Sequence, residues 1–282
     1  MAGKIGLIAG SGQFPFLCAR AARSRGLRVI AVAHRQETDP ALAELVDELH
    51  WVYVGQLGKI IRIFKAAGVT QALMAGAVNR GRLFRHFRPD LRALSVLRRV
   101  GPGRDDQLLR AVADEMEREG ITIEPATLFQ EELLAPAGPL TRHRPNRRQQ
   151  ADIAFGYQMA KEIGRLDLGQ CVVVRNQVVT AVEAVEGTDE AIRRGGRLAG
   201  PGAVVVKVAK PQQDLRFDQP AVGLATIATM AEVGARVLAI EAGTTIIFDR
   251  EEMLRRADRE GIAVWGIAAP APEQPGKGEA PV

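Results

Sequence analysis

The stretch "GLIAGSGQFP", residues Gly6–Pro15, decides the fold of the N-terminal half. The apolar run Ile5–Ala9 predicts a strand, and the glycines after it predict a tight turn into a helix over Phe16–Arg25. Glycines at such a point let the backbone approach a phosphate or a base, beside a helix N-terminus that favours anions. The stretch therefore indicates either a nucleotide-binding loop or, more simply, a tight turn.

The alternation of strand and helix continues after this stretch. Further strands are predicted over Arg28–Ala33, Trp51–Val54 and Gln71–Ala75, and helices over Pro40–Leu49, Leu57–Ala67 and Asp105–Glu119. Strands that alternate with helices favour right-handed crossovers and a parallel sheet. Residues 1–130 are therefore predicted to form a Rossmann-like nucleotide-binding domain.

Residues 131–147 are rich in proline and arginine and predict a linker. After it, the pattern predicts a C-terminal catalytic α/β domain with a mixed sheet over residues 148–270, and a disordered tail over residues 271–282. Strands are expected at Ala203–Val208, Val237–Ile240, Thr244–Phe248 and Ala263–Ile267, with an antiparallel pair that turns at Asn176. Helices are expected near Ile153–Ile163, from Thr188, and from Asp249, where Glu252 would complete a capping box. The fold class is thus α/β, with two domains.

Composition excludes several classes of protein. The two cysteines are far apart and the four histidines are scattered, which argues against a disulfide framework and a zinc site and fits a reducing cytoplasm. Apolar runs stay shorter than the ~18 residues needed to span a bilayer. The net charge of +5 comes from arginine and favours an anionic partner. Nucleic acid is not expected, because no nucleic-acid-binding motif is present.

Two loops of the N-terminal half are candidates for holding a nucleotide, because both follow predicted parallel strands. They comprise Gly10, Ser11, Gly12 and Gln13 in the first loop, and Ala77, Val78 and Asn79 in the second. Asp105 and Asp106 begin a helix, where they either complement its dipole or bind sugar hydroxyls or a metal. NAD is disfavoured, because the dinucleotide fingerprint is incomplete. Because of Arg35, an NADP-dependent oxidoreductase stays an alternative hypothesis for the function.

The charged stretch Ala209–Gly223 is the strongest candidate for catalysis. Together with the strand before it, it supplies cations suited to phosphate oxygens, namely Lys207, Lys210 and Arg216. Its carboxylates, Asp214 and Asp218, offer hard oxygen ligands suited to magnesium. Upstream, Glu186, Gly187, Thr188 and Asp189 suit a metal-bridged phosphate at a helix start, although Thr188 is also a natural N-cap. A bare salt-bridge network is the simpler alternative.

At these residues the chain resembles a known family, the LpxI-type UDP-2,3-diacylglucosamine pyrophosphatases of lipid A biosynthesis. The resemblance is strongest in "EIGRLDLGQCVVV", "AVEAVEGTDEAIRR" and "KPQQDLRFDQPAVGLATI". It implies Mg²⁺-dependent hydrolysis of UDP-2,3-diacylglucosamine to UMP and 2,3-diacylglucosamine 1-phosphate (lipid X). The family's catalytic aspartate falls on Asp218, which we assign to metal binding or water activation, with Asp214, Glu186 or Asp189 as helpers. The lysines and Arg216 would clamp phosphates, while Gly10–Gln13 and Ala77–Asn79 would hold the uridine.

A substrate with two acyl chains requires access from a bilayer, so we expect a cytoplasmic protein that is peripheral on the inner face of the inner membrane. Residues 83–99 suggest an interfacial helix. Its arginines (Arg85, Arg88, Arg92 and Arg99) would lie opposite its apolar residues (Phe84, Phe87, Leu91 and Leu94). A non-catalytic module that binds nucleotide or a membrane surface is a further alternative. The sequence does not determine the assembly, and a homodimer is kept open.

Overall fold

The computed structural model describes residues 3–78, 87–100 and 105–268, and only the backbone of Asp105 and Asp106. The chain forms two compact units, the first made of residues 1–131 with 213–218 and the second of residues 132–212 with 219–282. The sequence assigns residues 213–218 to the C-terminal domain, whereas in the structure this segment packs within the first unit. The expected tail, 271–282, lies outside the described residues.

The first unit is built on a five-stranded parallel sheet. Its strands are β1 (Lys4–Ala9), β2 (Arg28–His34), β3 (Glu48–Val52), β4 (Gln71–Ala75) and β5 (Thr122–Glu124), in the order β3-β2-β1-β4-β5. All four strand pairs are parallel. Its helices are α1 (Phe14–Ser24), α2 (Leu57–Ala67), α3 (Leu91–Val100) and α4 (Asp105–Arg118). The Rossmann-like parallel sheet predicted from the alternating pattern is confirmed.

The alternation of side chains along β2 shows how both faces of this sheet are covered. Ile30 and Val32 pack in one core cluster with Phe64 of α2. Val29 and Ala31 pack in another cluster with Cys18 of α1. Because helices cover both faces, the strands read as nearly continuous apolar runs, which is typical of parallel sheets.

The segment predicted as a helix over Pro40–Leu49 differs in the structure. A 3₁₀ helix covers only Pro40–Leu45, capped by Asp39, and Leu42 is its buried residue. The chain then becomes extended, because Glu48 onwards pairs with β2. The predicted strand Trp51–Val54 therefore starts earlier and ends at Val52. Pairing with a neighbouring strand outweighs the helical spacing of the apolar residues here.

The second unit contains a six-stranded mixed sheet, as predicted. Its strands are β6 (Gly138–Pro139), β7 (Cys171–Arg175), β8 (Val178–Val182), β9 (Val204–Lys207), β11 (Val237–Glu241) and β13 (Ala263–Ile267), in the order β6-β13-β11-β9-β7-β8. A separate parallel pair joins β10 (Ala221–Val222) to β12 (Ile246–Ile247). Its helices are α5 (Arg147–Arg165), α6 (Thr188–Ala199), α7 (Leu224–Glu232) and α8 (Arg250–Glu260). The β7–β8 hairpin turns at Asn176, as expected.

Three local predictions for this unit are corrected. The helix expected near Ile153–Ile163 is longer, because Asn146 and Gln149 form a capping box before α5. The helix expected from Asp249 has no such box, because Asp249 adopts a left-handed backbone (φ 47°) and makes no side-chain capping bond. The strand expected over Thr244–Phe248 shortens to β12, which pairs with β10 over two residues and makes one isolated bridge from Ile246 to Leu134.

The residues expected as a linker, 131–147, contain elements of the second unit. Gly138 and Pro139 pair antiparallel with β13. Ala135 lies in the core of the unit, 1% exposed, and its N–H donates to the carbonyl of Thr245 (2.8 Å). Part of this stretch is therefore folded against the sheet.

Candidate active site

The two loops predicted to hold a nucleotide meet at the carboxyl edge of the first unit's sheet. The backbones of Ser11 and Ala77 exchange two hydrogen bonds (2.8 and 3.1 Å), and the Ser11 Oγ donates to the same Ala77 carbonyl (2.8 Å). The N–H of Gly10 donates to the carbonyl of Ala75 (2.8 Å). Val78 follows with 37% of its surface exposed. Asn79 lies outside the described residues.

Gly10 and Gly12 require glycine for different structural reasons. A Cβ on Gly10 would lie 2.5 Å from the carbonyl oxygen of Ala77, so the two backbones can approach only if this residue is glycine. Gly12 has a positive φ of 89°, and no described atom lies within 4 Å of the place its Cβ would take. Gly12 and Gln13 are exposed just before α1. This part of the loop therefore presents backbone and a helix N-terminus to solvent, an arrangement that favours anions.

The segment 213–218 is held in the first unit by charged contacts with α4. Asp214 accepts two side-chain hydrogen bonds from Arg216 (3.0 and 2.8 Å), and Arg216 also donates to Glu117 (2.8 Å). The guanidinium of Arg216 lowers the pKa of the Asp214 carboxyl. Phe217 packs against the core cluster that contains Met116. Asp214 and Arg216 thus stabilise the segment, and the catalytic roles expected of them stay predictions.

Asp218 differs from Asp214 in its surroundings. One of its carboxylate oxygens accepts a hydrogen bond from Nε2 of Gln213 (2.7 Å), and its backbone N–H donates to the carbonyl of Asp214 (3.2 Å). Among the described residues, no lysine or arginine forms an ion pair with it. Its half-buried carboxylate is therefore able to bind a metal ion or a water molecule without first breaking an ion pair.

In the second unit, Lys207 is buried at the end of β9 within a chain of polar groups. Its Nζ donates to Oγ1 of Thr188 (3.1 Å) and to the carbonyl of Ala221 (2.8 Å). Thr188 Oγ1 in turn donates to Glu183 (2.7 Å), which is also buried. An ammonium group has three donors. Two of the three N–H donors of Lys207 therefore have partners among the described residues. The third is left for an acceptor such as a phosphate oxygen.

The start of α6 differs from the expected N-cap, and the roles in binding substrate or metal that were expected of its residues stay predictions. Gly187, with φ 85°, occupies the N-cap position, so Thr188 is the first helical residue and not the cap. Glu186 forms an ion pair with Arg194 (2.7 Å), which lowers the pKa of its carboxyl. Asp189 lies in the first turn of the helix.

Magnesium fits this donor set only in part. In the ranges the structure describes, no three His, Cys, Asp or Glu side chains lie close enough together to hold a metal ion. Mg²⁺ commonly uses one or two carboxylates together with substrate phosphates and water, so a single carboxylate such as Asp218 suits it. Glu186 is a poorer donor, because Arg194 occupies its carboxylate. Asp105 and Asp106 begin α4 as expected, and their side chains lie outside what the structure describes.

The sequence did not reveal the polar cluster around Ala209. Lys161 of α5, which is half-buried, forms an ion pair with the buried Glu241 at the end of β11 (2.7 and 2.8 Å to the two carboxylate oxygens). Lys161 also donates to the carbonyl of Ala209 (2.8 Å), and Glu241 accepts the Ala209 N–H (2.8 Å). Tyr157 donates to Glu241 (3.3 Å), and burial with the nearby carboxylate raises the pKa of this tyrosine to about 12. The sequence signals for this cluster are Glu241, a carboxylate directly after a predicted strand, and the four-residue spacing of Tyr157 and Lys161 on one helix face.

This cluster fixes the point where the charged stretch leaves the sheet. The next residue, Lys210, forms an ion pair with Asp167 (2.8 Å). Gln212 donates to the carbonyl of Gly164 at the end of α5 (2.7 Å). The stretch is therefore anchored on both sides of Lys210.

The comparisons with solved structures give only weak likenesses. The biotin carboxylase subunit of pyruvate carboxylase aligns over 71% of this chain and 42% of its own, at 16% identity and a TM-score of 0.27. A biotin carboxylase from Campylobacter jejuni aligns over 69% and 42%, at 13% identity and a TM-score of 0.25. Likenesses at this level carry no argument about fold or function.

The comparisons with families and curated proteins are specific. The family model described as the LpxI N-terminal domain matches residues 4–133, and that of the LpxI C-terminal domain matches residues 136–265. The UDP-2,3-diacylglucosamine pyrophosphatase LpxI of Caulobacter vibrioides is 38% identical over 278 residues, covering 94% of this chain and 97% of the relative. The chain therefore belongs to the LpxI family.

Proposed function

We propose that this protein hydrolyses the pyrophosphate bond of UDP-2,3-diacylglucosamine to UMP and 2,3-diacylglucosamine 1-phosphate, with Mg²⁺ as cofactor. The observation that carries the proposal is the end-to-end likeness to a pyrophosphatase of that name. In the reaction, water adds to one phosphorus and the bridging P–O bond breaks, so each product keeps one phosphate. Membership of this family leaves the NADP-dependent oxidoreductase and the non-catalytic module without support.

The chemical difficulty of this reaction is the negative charge of the pyrophosphate. A pyrophosphate diester resists water because its anionic oxygens repel the nucleophile, and cations that screen those oxygens stabilise the transition state. Lys207 suits this role, because it is buried and has one donor left over from its contacts with Thr188 and Ala221. Lys210 is a second candidate, which would have to exchange Asp167 for a phosphate oxygen.

Asp218 is the proposed catalytic carboxylate. Its lack of a cationic partner among the described residues leaves it able to bind a metal or to orient and deprotonate water. When bound there, Mg²⁺ would neutralise charge on the phosphate oxygens. The glycine loop, Gly10–Gln13, and the adjacent Ala77 are proposed to hold the uridine end, because ligands of open α/β sheets bind at the carboxyl ends of the strands.

The direct test is release of UMP from UDP-2,3-diacylglucosamine, measured with Mg²⁺ and with EDTA. We expect release with Mg²⁺ and at least ~100-fold slower release with EDTA, since a metal ion contributes several kcal/mol of charge stabilisation. Release that is unaffected by EDTA would contradict the metal dependence. No release under either condition would contradict the proposed activity itself.

We infer further that the protein works at the cytoplasmic face of the inner membrane, since its proposed substrate carries two acyl chains. No described helix is long and apolar enough to cross a membrane. Within the predicted interfacial segment, the structure describes α3, on which Leu91 is 87% exposed and Ala93 is buried. Residues 83–86 lie outside the described ranges.

The arginines of α3 limit the electrostatic part of this membrane proposal. Arg92 pairs with Glu119 (2.5 Å) and Arg99 pairs with Glu115 (2.8 Å), so both are partly neutralised.

Flotation with anionic liposomes tests the membrane proposal, and Leu91→Asp provides the variant. We expect the wild type to float at low salt and the variant to float less. Absence of flotation by the wild type would contradict the proposal.

A further inference from the structure

A cavity rich in arginine lies in the second unit, apart from the proposed catalytic residues. Its volume is about 420 Å³, and it is lined by Arg142, His143, Glu252, Arg255, Asp258 and Arg259. Sites for small ligands commonly have volumes of ~300–1,000 Å³, so the space suffices for one. Two of the lining residues belong to the basic run "TRHRPNRR", residues 141–148, which the proposed function does not use.

The cavity lies at the opposite edge of the sheet from Lys207. Strands β9, β11 and β13 run parallel, and Lys207 is the last residue of β9. Arg259 instead lies just before the start of β13. Thr141, the neighbour of Arg142, accepts the N–H of Val264 near the start of the same strand (2.8 Å). The cavity is therefore at the amino edge of these strands, whereas Lys207 is at their carboxyl edge.

The wall that the basic run contributes is fixed against α8. The backbone N–H of Arg142 donates to Oδ1 of Asp258 (2.8 Å), and its Nε lies 3.4 Å from Oδ2. Nε2 of His143 donates to the carbonyl of Asp258 (3.1 Å). The Asp258 side chain is 18% exposed and that of Arg142 is 89% exposed. Asp258 thus anchors this wall, while most of the Arg142 guanidinium stays open to a ligand.

The helix contributes positive charge that the described residues do not neutralise. Arg255 and Arg259 are exposed, and neither forms an ion pair with a described carboxylate. Their four-residue spacing places them on one face of α8. Arg256, which lies between them in sequence, differs from both because it pairs with Glu260 (2.8 Å).

The guanidinium groups select the kind of ligand. The planar fork of arginine donates paired hydrogen bonds to the oxygens of a phosphate group. The lining holds three arginines against the carboxylates of Glu252 and Asp258, so its net charge is positive but small. Such a balance suits a single phosphate group better than a polyanion. Since Asp258 is engaged by Arg142, Glu252 is the carboxylate that opposes an anion here.

We propose that this cavity is a second phosphate site, which binds inorganic phosphate or a phosphomonoester through Arg142, Arg255 and Arg259. The phosphate comes either from a soluble molecule or from a lipid headgroup. The site is separate from the hydrolytic reaction, because its residues lie at the other edge of the sheet from Lys207. Its test therefore does not require the proposed activity.

The experiment is a titration of the full-length protein with inorganic phosphate at constant ionic strength, followed by the amide chemical shifts of the ¹⁵N-labelled protein. We expect saturable shifts at Arg142, His143, Arg255 and Arg259, which distinguish this site from any binding near Lys207. Arg255→Gln/Arg259→Gln should weaken the binding about 10-fold. Glu252→Gln should tighten it about 2- to 5-fold, because the opposing charge is removed.

Arg256→Gln is the matched control, because it removes an arginine of the same helix that does not line the cavity. It should keep the wild-type affinity to within about 2-fold, since exposed charges outside the site interact weakly. An effect of Arg256→Gln as large as that of Arg255→Gln/Arg259→Gln would overturn the assignment, since general electrostatics would then explain both. Absence of saturable shifts in the wild type would also overturn it, and this result needs no variant. Arg259 would then only complement the negative end of the helix dipole.

A second measurement identifies the source of the phosphate. The wild type, Arg255→Gln/Arg259→Gln and Arg256→Gln are sedimented with phosphatidylcholine vesicles, with and without phosphatidic acid. Phosphatidic acid that sediments the wild type and Arg256→Gln, but less of Arg255→Gln/Arg259→Gln, assigns the site to a lipid headgroup. Equal sedimentation of all three proteins, with the phosphate shifts in place, assigns it to a soluble phosphate.

Discussion

Lys161 and Glu241 form an ion pair that encloses the backbone of Ala209. The Nζ of Lys161 lies 2.7 Å from Oε1 of Glu241, and the two side chains are only 24% and 6% exposed. Between them they satisfy both the carbonyl and the N–H of Ala209. The pair thereby determines where the charged stretch begins, immediately before Lys210.

Removal of one member of this pair should be costly. Lys161→Met leaves the Glu241 carboxylate buried without its cation, and breaking a buried pair in this way typically costs about 3–5 kcal/mol. We expect a loss of this size in the free energy of unfolding, measured by urea denaturation. The double variant Lys161→Met/Glu241→Gln should recover part of the loss, because no unpaired charge remains.

The control for this measurement is Arg165→Met on the same helix. It breaks the ion pair of Arg165 with Glu162, whose side chains are 64% and 59% exposed. Exposed pairs contribute about 0–1 kcal/mol, so this variant should remain close to the wild type. Equal losses in the two single variants would contradict the role given to Lys161.

The ion pair between Asp214 and Arg216 predicts a dependence of stability on pH. Arg216 lowers the pKa of Asp214 below its ordinary value of 3.8 in the folded protein. A carboxyl group with a lowered folded pKa stabilises the fold above its unfolded pKa, and this stabilisation is lost as the pH falls through the folded value. Asp214→Asn should therefore be less stable than the wild type at pH 7, by about 1–2 kcal/mol.

The difference in stability between the wild type and Asp214→Asn should narrow as the pH falls below 3.8 and through the lowered folded pKa, where the wild-type carboxyl also becomes protonated. Urea denaturation of both proteins at pH 7 and at a pH well below 3.8 measures this difference. A difference that is the same at both pH values would show that the charge of Asp214 does not contribute.

The glycines of the proposed nucleotide loop, Gly10 and Gly12, should respond differently to substitution. Gly10→Ala places a methyl group 2.5 Å from the Ala77 carbonyl oxygen, so the two loops must separate. We expect a loss of stability of about 1–3 kcal/mol, as for other overpacked sites. Gly12→Ala meets no described atom within 4 Å, and its cost should be about 1 kcal/mol, from the positive φ alone.

The affinity for UMP provides a second comparison between the two glycine variants. If the exposed backbone at Gly12 contacts the nucleotide, Gly12→Ala should weaken UMP binding more than its small effect on stability suggests. Calorimetric titration at a temperature where both variants are folded checks this. Unchanged UMP affinity in Gly12→Ala would mean that this residue serves the turn only.

The predictable part of this fold lies in its local patterns. The buried strands of the first sheet read as apolar runs, and both proposed nucleotide loops follow such strands, so the meeting of Ser11 and Ala77 could be expected. The segment from Pro40 to Leu49 differs from the helix that its apolar spacing predicts. Its strand residues are extended only because they pair with β2, and a single sequence does not contain that information.

The unpredicted part of the site depends on pairs that are distant in the chain. Lys161 and Glu241 are 80 residues apart, and Arg216 and Glu117 are 99 residues apart. Their types and spacing give no sign of a partner, since each is an ordinary charged residue within its own element. Asp218 could be singled out from the family resemblance, whereas its contrast with the ion-paired Asp214 required the structure.

The central claim, that Asp218 is the catalytic carboxylate of a pyrophosphatase, is tested most directly by the kcat of Asp218→Ala for UMP release. Phe217→Leu, assayed beside it, loosens the packing of the same segment without removing a carboxylate, and so measures how much of any loss comes from disturbing the segment. The account predicts that Asp218→Ala remains folded and loses at least ~10³-fold in kcat, about 4 kcal/mol of transition-state stabilisation. A folded Asp218→Ala protein that releases UMP at nearly the wild-type rate would contradict it.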